Sequence, residues 1–411
     1  MKKEKNIIMD NIEMKNEQKV LVIGNGFDIY HHLPTRYIDF LKVVERLKEL
    51  EGKGKLQNCQ FVNYILGQDS KIYKEDEYIQ TCYKFHSDRM KSVKLNENAI
   101  MTLVELTKNN IWIDYFINKL IKDIKWIDFE KEIGRVLEAV ESLFELETKT
   151  KILVTGIDFD SIINEIGIKN YDILVNLKLI IRKNDSDLFI IEPNCVLKDF
   201  DETLFVEINK TKIFDKLEED MQSLAQALCI YLREFVHKIV INKKTENPVF
   251  ACVDKVLSFN YTDTYRKLYD NEQKVDIKFV HGNLDDGNGI VLGINDDNRD
   301  ELEYMDAQLI RFRKYYQRAL KETFYSVSDF LSDDVKYKVS IVGHSIDKTD
   351  RDILVELISH PRTTTTIYYH NEEAHQQQII NLITLVGKRK FEEWYNSNKV
   401  CFKYLDYWKC L

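Results

Sequence analysis

The amino-acid sequence predicts an α/β protein built on a doubly wound, mostly parallel open sheet, with a large helical and a small β-rich insertion. Three observations carry this expectation. After residue 250, short apolar runs that end in polar or glycine turns alternate with helical patterns, as βαβ units do. The run Lys19–Ile23 near the amino end has the same character. Glycine (14) and proline (4) are scarce in 411 residues, which favours long helices over an all-β or disordered chain.

Lys19-Val20-Leu21-Val22-Ile23 is short, apolar and closed by Gly24, which suits a strand buried on both faces. Pro34 and Thr35 lead into a helix from Tyr37 to Leu50, with Ile38, Leu41, Val44 and Leu47 on one face. Residues 55–148 read as helical throughout, and the amphipathic stretch 111–144 has no glycine before Gly134. Between Lys151 and Lys212 apolar and polar residues alternate between turn signals, which predicts a β-rich segment. A helix over Lys216–Lys238 follows. Strands are then expected in "DKVLSFNY", "DIKFVHGN", "GIVLGIN", "YKVSIVGHS" and "TTTIYYH". Helices are expected over Thr264–Asp270, Glu301–Leu320, Asp350–Ile358 and Glu372–Val386. The expected organisation is a loose tail over 1–18, a Rossmann-like nucleotide-binding domain formed by 19–54 and 250–411, and an insertion over 55–249.

The chain carries 68 acidic and 59 basic residues, a net charge of −9, which disfavours an extended phosphate-binding surface. The strongest local basic stretch is Arg311–Lys321, readable as a solvated helix face or as a nucleic-acid contact. Seven cysteines are scattered without C-x-x-C spacing, the pattern of reduced thiols in a cytoplasmic protein without a zinc site. His31 and His32 are adjacent, so they do not share a helix face as metal ligands do. The segment "MKKEKNIIMDNIEMKNEQ" lacks the apolar core of a signal peptide. No run approaches the roughly 20 apolar residues that cross a bilayer, so no membrane contact is expected.

Seven of the 14 glycines lie in three places after expected strands: Gly24 and Gly26; Gly282, Gly287, Gly289 and Gly293; and Gly343. Open α/β sheets bind ligands outside the carboxyl ends of their strands. Glycine there lets backbone amides approach a ligand. A tight strand-to-helix corner explains the same residues, since Gly24-Asn25-Gly26 lacks the third glycine of a dinucleotide motif.

Several stretches taken together resemble one known family. "IGNGFDIYHHLPTRYIDFL", "WIDFEKEI", "LSFNYTDT", "FVHGNL" and "VGHSIDKTDRDIL" are similar, in order and spacing, to the motifs of the AbiH family of bacteriophage abortive-infection proteins. The resemblance covers about residues 19–370 and implies phage defence by harming the infected cell, with a phage-derived trigger. A looser resemblance to sirtuin-like NAD-hydrolysing defence domains implies a sirtuin-like Rossmann variant and a reaction. The matching residues are Gly24-Asn25-Gly26, Leu33-Pro34, Asn260, His281-Gly282 and Gly343-His344-Ser345. Asn260 and His281 are thereby implied as catalytic. Gly24, Asn25, Gly26, Phe27, Asp28, Pro34, Tyr261, Gly282, Gly293, Gly343, Ser345 and Asp347 are implied as contacts to NAD(P) or a related nucleotide, whose N-glycosidic bond would be hydrolysed. His32 stands where AbiH relatives carry glycine, and Thr262, next to Asp263, stands where sirtuins carry an acid. The zinc cysteines of sirtuins are absent, so deacylation is not implied, and no metal is expected.

Each residue also has a plainer reading. Asn260 would hold the ribose or the attacking water, or cap a turn. His281, at a strand end, would take a proton near neutral pH, or be structural. Asp28 would bind a ribose hydroxyl or serve as a local cap, and Ser345 and Asp347 would touch ribose or adenine or start a helix. Asp128 and Glu130 are two apart and would not share a helix face, which reads as one buried and one exposed acid. Two other functions stay open. One is a nucleotide or nucleic-acid sensor without turnover that uses the 311–321 stretch. The other is a nuclease with Asp28, Asp128, Glu130 and Asp263 on Mg²⁺. A homo-oligomer is compatible with all three.

Overall fold

Six strands form one parallel sheet: β1 (Glu17–Ile23), β2 (Lys255–Ser258), β3 (Asp276–Phe279), β4 (Lys336–Val342), β5 (Thr363–Tyr369) and β6 (Val400–Tyr404). The structure is a computed structural model, and it describes residues 17–56, 61–121, 128–183, 186–197, 205–240, 247–284, 289–294, 307–323 and 326–406. Residues 1–16 of the expected tail over 1–18, and residues 301–306 of the expected helix, lie outside the described residues, while Glu17 and Gln18 of that tail open β1. The order across the sheet is β3-β2-β1-β4-β5-β6, and every ladder is parallel. The chain winds outward from β1 to β3 on one side, then returns to lay β4–β6 on the other. The direction of winding therefore reverses between β1 and β4, where an open α/β sheet has its crevice.

Alternate side chains of β1 feed two cores. Val20 and Val22 pack with Leu257, Val339, Ile341 and Ile367 on one face. Leu21 and Ile23 pack with Phe27, Phe250, Val256 and Tyr265 on the other. A strand with both faces covered needs apolar residues at every position, which is why the pattern is a run rather than an alternation.

Helix α1 (Asn25–Tyr30) follows β1 directly, and α2 (Tyr37–Gly52) buries Ile38, Leu41, Val44 and Leu47 as its spacing requires. Between them His32 takes φ +56, the backbone corner a glycine would fill most easily. The insertion is helical, and its longest early helix is α3 (Phe129–Thr150). Phe129 is stacked between Tyr37 and Phe116, with ring centroids 4.1 Å away on each side. Burying such a ring is worth roughly 2–3 kcal/mol, and each stack adds about 1. This clamp fixes the start of α3 against α2. Residues 122–127 lie outside the described residues.

The segment 151–212 holds a small antiparallel sheet, with Leu188–Ile191 between Ile157–Asp158 and Ile180–Arg182. It also holds a helix, Phe159–Asn176, which the alternation did not indicate; Gly167 at φ +74 breaks that helix and its periodicity. Helix α4 (Lys210–Tyr231) then runs into a π-helical turn over Leu232–His237. Tyr231 donates its hydroxyl to the Pro34 carbonyl at 2.7 Å.

The later helices include α5 (Thr264–Tyr269), α6 (Lys314–Leu320), α7 (Arg351–Ser359) and α8 (Glu372–Val386), and a further helix, Lys388–Asn396, precedes the last strand. Two expectations are corrected here. "GIVLGIN" is not a strand: Gly289–Ile294 is irregular, with one bridge from Ile294 to Arg313. Its apolar residues Ile290 and Leu292 pack into the insertion core. "VCFKY" is the edge strand β6, which had not been expected. No helix among the described residues is long and apolar enough to cross a membrane.

Candidate active site at the carboxyl edge of the sheet

The turns after β1 and β4 meet at the point where the winding reverses. Gly24 N–H donates to Val342 O at 3.2 Å, and Gly26 N–H donates to Gly343 O at 2.8 Å. A Cβ at Gly343, whose φ is +66, would lie 2.2 Å from the Phe27 nitrogen; one at Gly26 would lie 2.6 Å from the Gly343 Cα. These glycines therefore let two backbones touch. The amides of Gly24 and Gly26 are spent on the neighbouring turn, which corrects the expectation that they cradle a phosphate. Asn25 and Ser345 are the exposed side chains of this corner. Thr35 donates to Asn25 Oδ1 at 2.6 Å.

Asn260 leaves the end of β2 and reaches the same corner. Its Nδ2 donates to the Gly24 carbonyl at 3.0 Å, and the side chain is 6% exposed. The amide thus ties β2 to β1. Asp28 is turned inward, 1% exposed, rather than toward the rim. Thr262 Oγ1 donates to its Oδ2 at 2.5 Å, while Oδ1 is buried without a partner. Burial pushes the carboxyl up to about 6, against the bond from Thr262. Phe27 and Pro34 are buried, with Phe27 in the second core.

His281 follows β3 and is 4% exposed. Its Nε2 lies 3.0 Å from Asp350 Oδ1. Its Nδ1 is buried and has no partner. Burial lowers the imidazole to about 4, helped by Lys314 and opposed by Asp350. Phe259 packs edge-on against both His281 and His344, so the ends of β2, β3 and β4 share one cluster. His344 Nδ1 accepts the Ile346 N–H at 2.9 Å, and its Nε2 is 3.4 Å from Asp350 Oδ2. Ile346 is fully buried at φ +58, a costly conformation for a β-branched residue that this packing enforces.

Lys314, 1% exposed, lies under this cluster. Its Nζ is 2.8 Å from both Asp350 Oδ1 and Glu130 Oε2, and 3.1 Å from the Thr349 carbonyl. Burial opposes its charge, yet the two carboxylates hold its pKa above the ordinary range. Burial would raise Asp350, but Lys314, His281 and His344 keep it well below the usual value. Glu130 is raised, because burial outweighs Lys314. Asp128 caps α3 through the Lys131 N–H at 3.2 Å, and neither it nor Glu130 is exposed, which corrects the expectation of one buried and one exposed acid. Tyr261 donates its hydroxyl to Val291 O at 3.0 Å, and Val291 N–H donates to His281 O at 2.9 Å. Gly282, at φ +74, closes against Gly289 O. Gly293 packs on the Phe312 carbonyl, and Asp347 caps the turn at Thr349.

Sequence reasoning missed Lys314 and Asp350. The signal was present in part: Arg311, Lys314, Arg318 and Lys321 are spaced 3, 4 and 3 apart, one helix face. That face turns inward. Arg311 pairs with Asp215 and Glu218, Arg318 with Asp352, and Lys321 donates to the Ile290 carbonyl. The stretch is therefore neither a solvated face nor an open nucleic-acid contact. The four acids considered for Mg²⁺ are dispersed: Asp28 bonds Thr262, Glu130 bonds Lys314, and Asp263 pairs with His237. Among the described residues no group of three or more His, Cys, Asp or Glu is placed to hold a metal ion.

The fold and the site define a class: a parallel α/β protein whose strand ends gather a buried cluster of histidines, carboxylates and one lysine. The chain belongs to the family described as Bacteriophage abortive infection AbiH, which matches residues 20–371. The matched span contains every residue of this site, and membership assigns the protein a role in bacteriophage abortive infection. No curated protein matches the chain.

Proposed function

We propose that the protein acts in abortive infection by hydrolysing the N-glycosidic bond of NAD(P) or a related nucleotide at the carboxyl edge of the sheet. One observation carries the reading: Asn260, His281 and the Gly24–Gly26 corner, far apart in sequence, meet at one rim, where His281 Nδ1 is left without a partner. The strand order β3-β2-β1-β4-β5-β6 supports it, since dinucleotide-binding Rossmann sheets share that order.

In this reading the ribose faces Asn260. As the C1′–N bond breaks, its electron pair neutralises the nicotinamide ring nitrogen, and positive charge develops on the ribose. Fixed dipoles at the rim favour that state. Water bonds to C1′, and its proton passes to the neutral imidazole of His281. Phosphate contacts fall to exposed groups such as Asn25 and Ser345, because the glycine amides are committed.

The test is chromatography of full-length protein incubated with NAD. Release of nicotinamide by the native chain and its loss in His281→Gln support the proposal. Infected cells that die with NAD intact, together with no product in vitro, count against it. A second reading, binding without turnover, is favoured by the sealing of His281 in this structure. It predicts thermal stabilisation by nucleotide with no product.

A further inference from the structure

Asp350, at the amino end of α7, is the hub of the buried cluster. Oδ1 receives His281 Nε2 at 3.0 Å and Lys314 Nζ at 2.8 Å, while Oδ2 faces His344 Nε2 at 3.4 Å. An ionised carboxylate can only accept. Each imidazole facing it therefore carries its proton on Nε2. His344 confirms the logic independently, because its Nδ1 accepts the Ile346 N–H and so has no proton of its own. For His281 the same constraint leaves Nδ1 as a bare lone pair, buried and unpartnered.

We propose that Asp350 is a positioning residue, which locks His281 in the tautomer protonated at Nε2 and so makes Nδ1 the proton acceptor of the site. The inference rests on the reading of His281 as the base. The surroundings fit that role. Lys314 and Arg318 of α6 disfavour a second proton on His281, and Asp350 opposes them. Glu130 of α3 faces Lys314, with Asp128 and Asp350 acting on it, and Tyr261 packs beside the imidazole. Asp347 acts on Asp128 from the β4 turn. The result is an imidazole that stays neutral through the physiological range, with its orientation set from the far side of the ring. Lys314 holds Asp350 ionised. It thereby keeps Asp350 an acceptor rather than a donor, which would reverse the tautomer.

The experiment uses the full chain labelled with ¹⁵N in its nine histidines. Loss of one signal in His281→Gln assigns that residue. The expected spectrum near neutral pH shows His281 protonated at Nε2 and bare at Nδ1. A spectrum with the proton on Nδ1 overturns the inference, whether or not the protein cleaves NAD. In Asp350→Asn the tautomer preference is expected to be lost. The rate of nicotinamide release should then fall about 10²–10⁴-fold in kcat with little change in KM, and Asp350→Glu should recover part of it. Native kcat in a folded Asp350→Asn also overturns it. If Asp350→Asn does not fold, the native spectrum alone decides. Absence of nicotinamide release from the native chain removes the proposed reaction but leaves the tautomer result standing.

Discussion

Asp28→Asn should make this protein more stable at neutral pH, although it removes a charge from a hydrogen-bonded carboxylate. Asp28 is buried, one of its oxygens has no partner, and its pKa rises from 3.8 to about 6 on folding. An acid whose folded pKa lies above its unfolded value binds protons better in the folded state. Its contribution is fully present below pH 3.8 and is lost as the pH climbs through about 6. At about 1.4 kcal/mol per pH unit, that window corresponds to a penalty of roughly 3 kcal/mol at pH 7 and above. Asparagine is nearly isosteric, stays neutral, and its carbonyl oxygen can still accept from Thr262. Urea midpoints of the native and Asp28→Asn chains, measured from pH 4 to 8, check this. The native chain should lose stability across the window and the variant should lose less, so the two diverge as pH rises. A variant that is less stable than the native chain by the same amount at every pH would refute the argument, because the carboxylate would then be stabilising.

Four further outcomes follow from the same geometry. Gly343→Ala places a Cβ 2.2 Å from the Phe27 nitrogen at a positive φ, so it should cost more than about 2 kcal/mol, read as a lowered thermal midpoint. Lys314→Met leaves Asp350 and Glu130 facing each other without their cation. It should cost about 3–5 kcal/mol, and the Lys314→Met, Glu130→Gln pair should recover part of that in a denaturation series. Tyr231→Phe orphans the Pro34 carbonyl and should cost about 1 kcal/mol by the same measurement. Arg311→Ala, whose partners Asp215 and Glu218 are partly exposed, should change stability by less than about 1 kcal/mol and leave any nucleic-acid retention on a column unchanged.

The central strand β1 was legible as a short apolar run, Val20–Ile23, whereas β3 (Asp-Ile-Lys-Phe) and β4 (Lys-Tyr-Lys-Val-Ser-Ile-Val) alternate and β5 opens with four threonines, so those were legible from β-prone residues that run into polar or glycine turns. What misled was apolar sequence buried by other means. Ile290 and Leu292 are covered by the insertion core, so "GIVLGIN" needs no strand partners. Phe159–Asn176 escaped notice because Gly167 interrupts its period. At the site, Asn260 and His281 were singled out by the looser resemblance, and each follows the end of a strand, β2 and β3. Lys314 and Asp350 could not be picked out, because a lysine on a basic helix face looks solvated until its partners are known. Those partners, Glu130 and Asp350, lie on other elements far along the chain. The glycine corner was legible, but not the commitment of the Gly24 and Gly26 amides, because the same freedom that admits a ligand also admits a second backbone.

The position of β1 at the middle of the sheet has a consequence for how the chain matures. It ends at Ile23, while the strands that flank it begin at Lys255 and Lys336. At about 5–20 residues per second, roughly ten to forty-five seconds of translation pass before its first neighbour leaves the ribosome. Throughout that interval the helices between them can collapse on their own apolar faces, while the central strand waits. Asp350 and His344 are made later still, so a nascent chain cannot assemble the charged hub before most of its length exists. Any product that stops short of Asp350 therefore lacks the carboxylate on which Lys314, His281 and His344 converge.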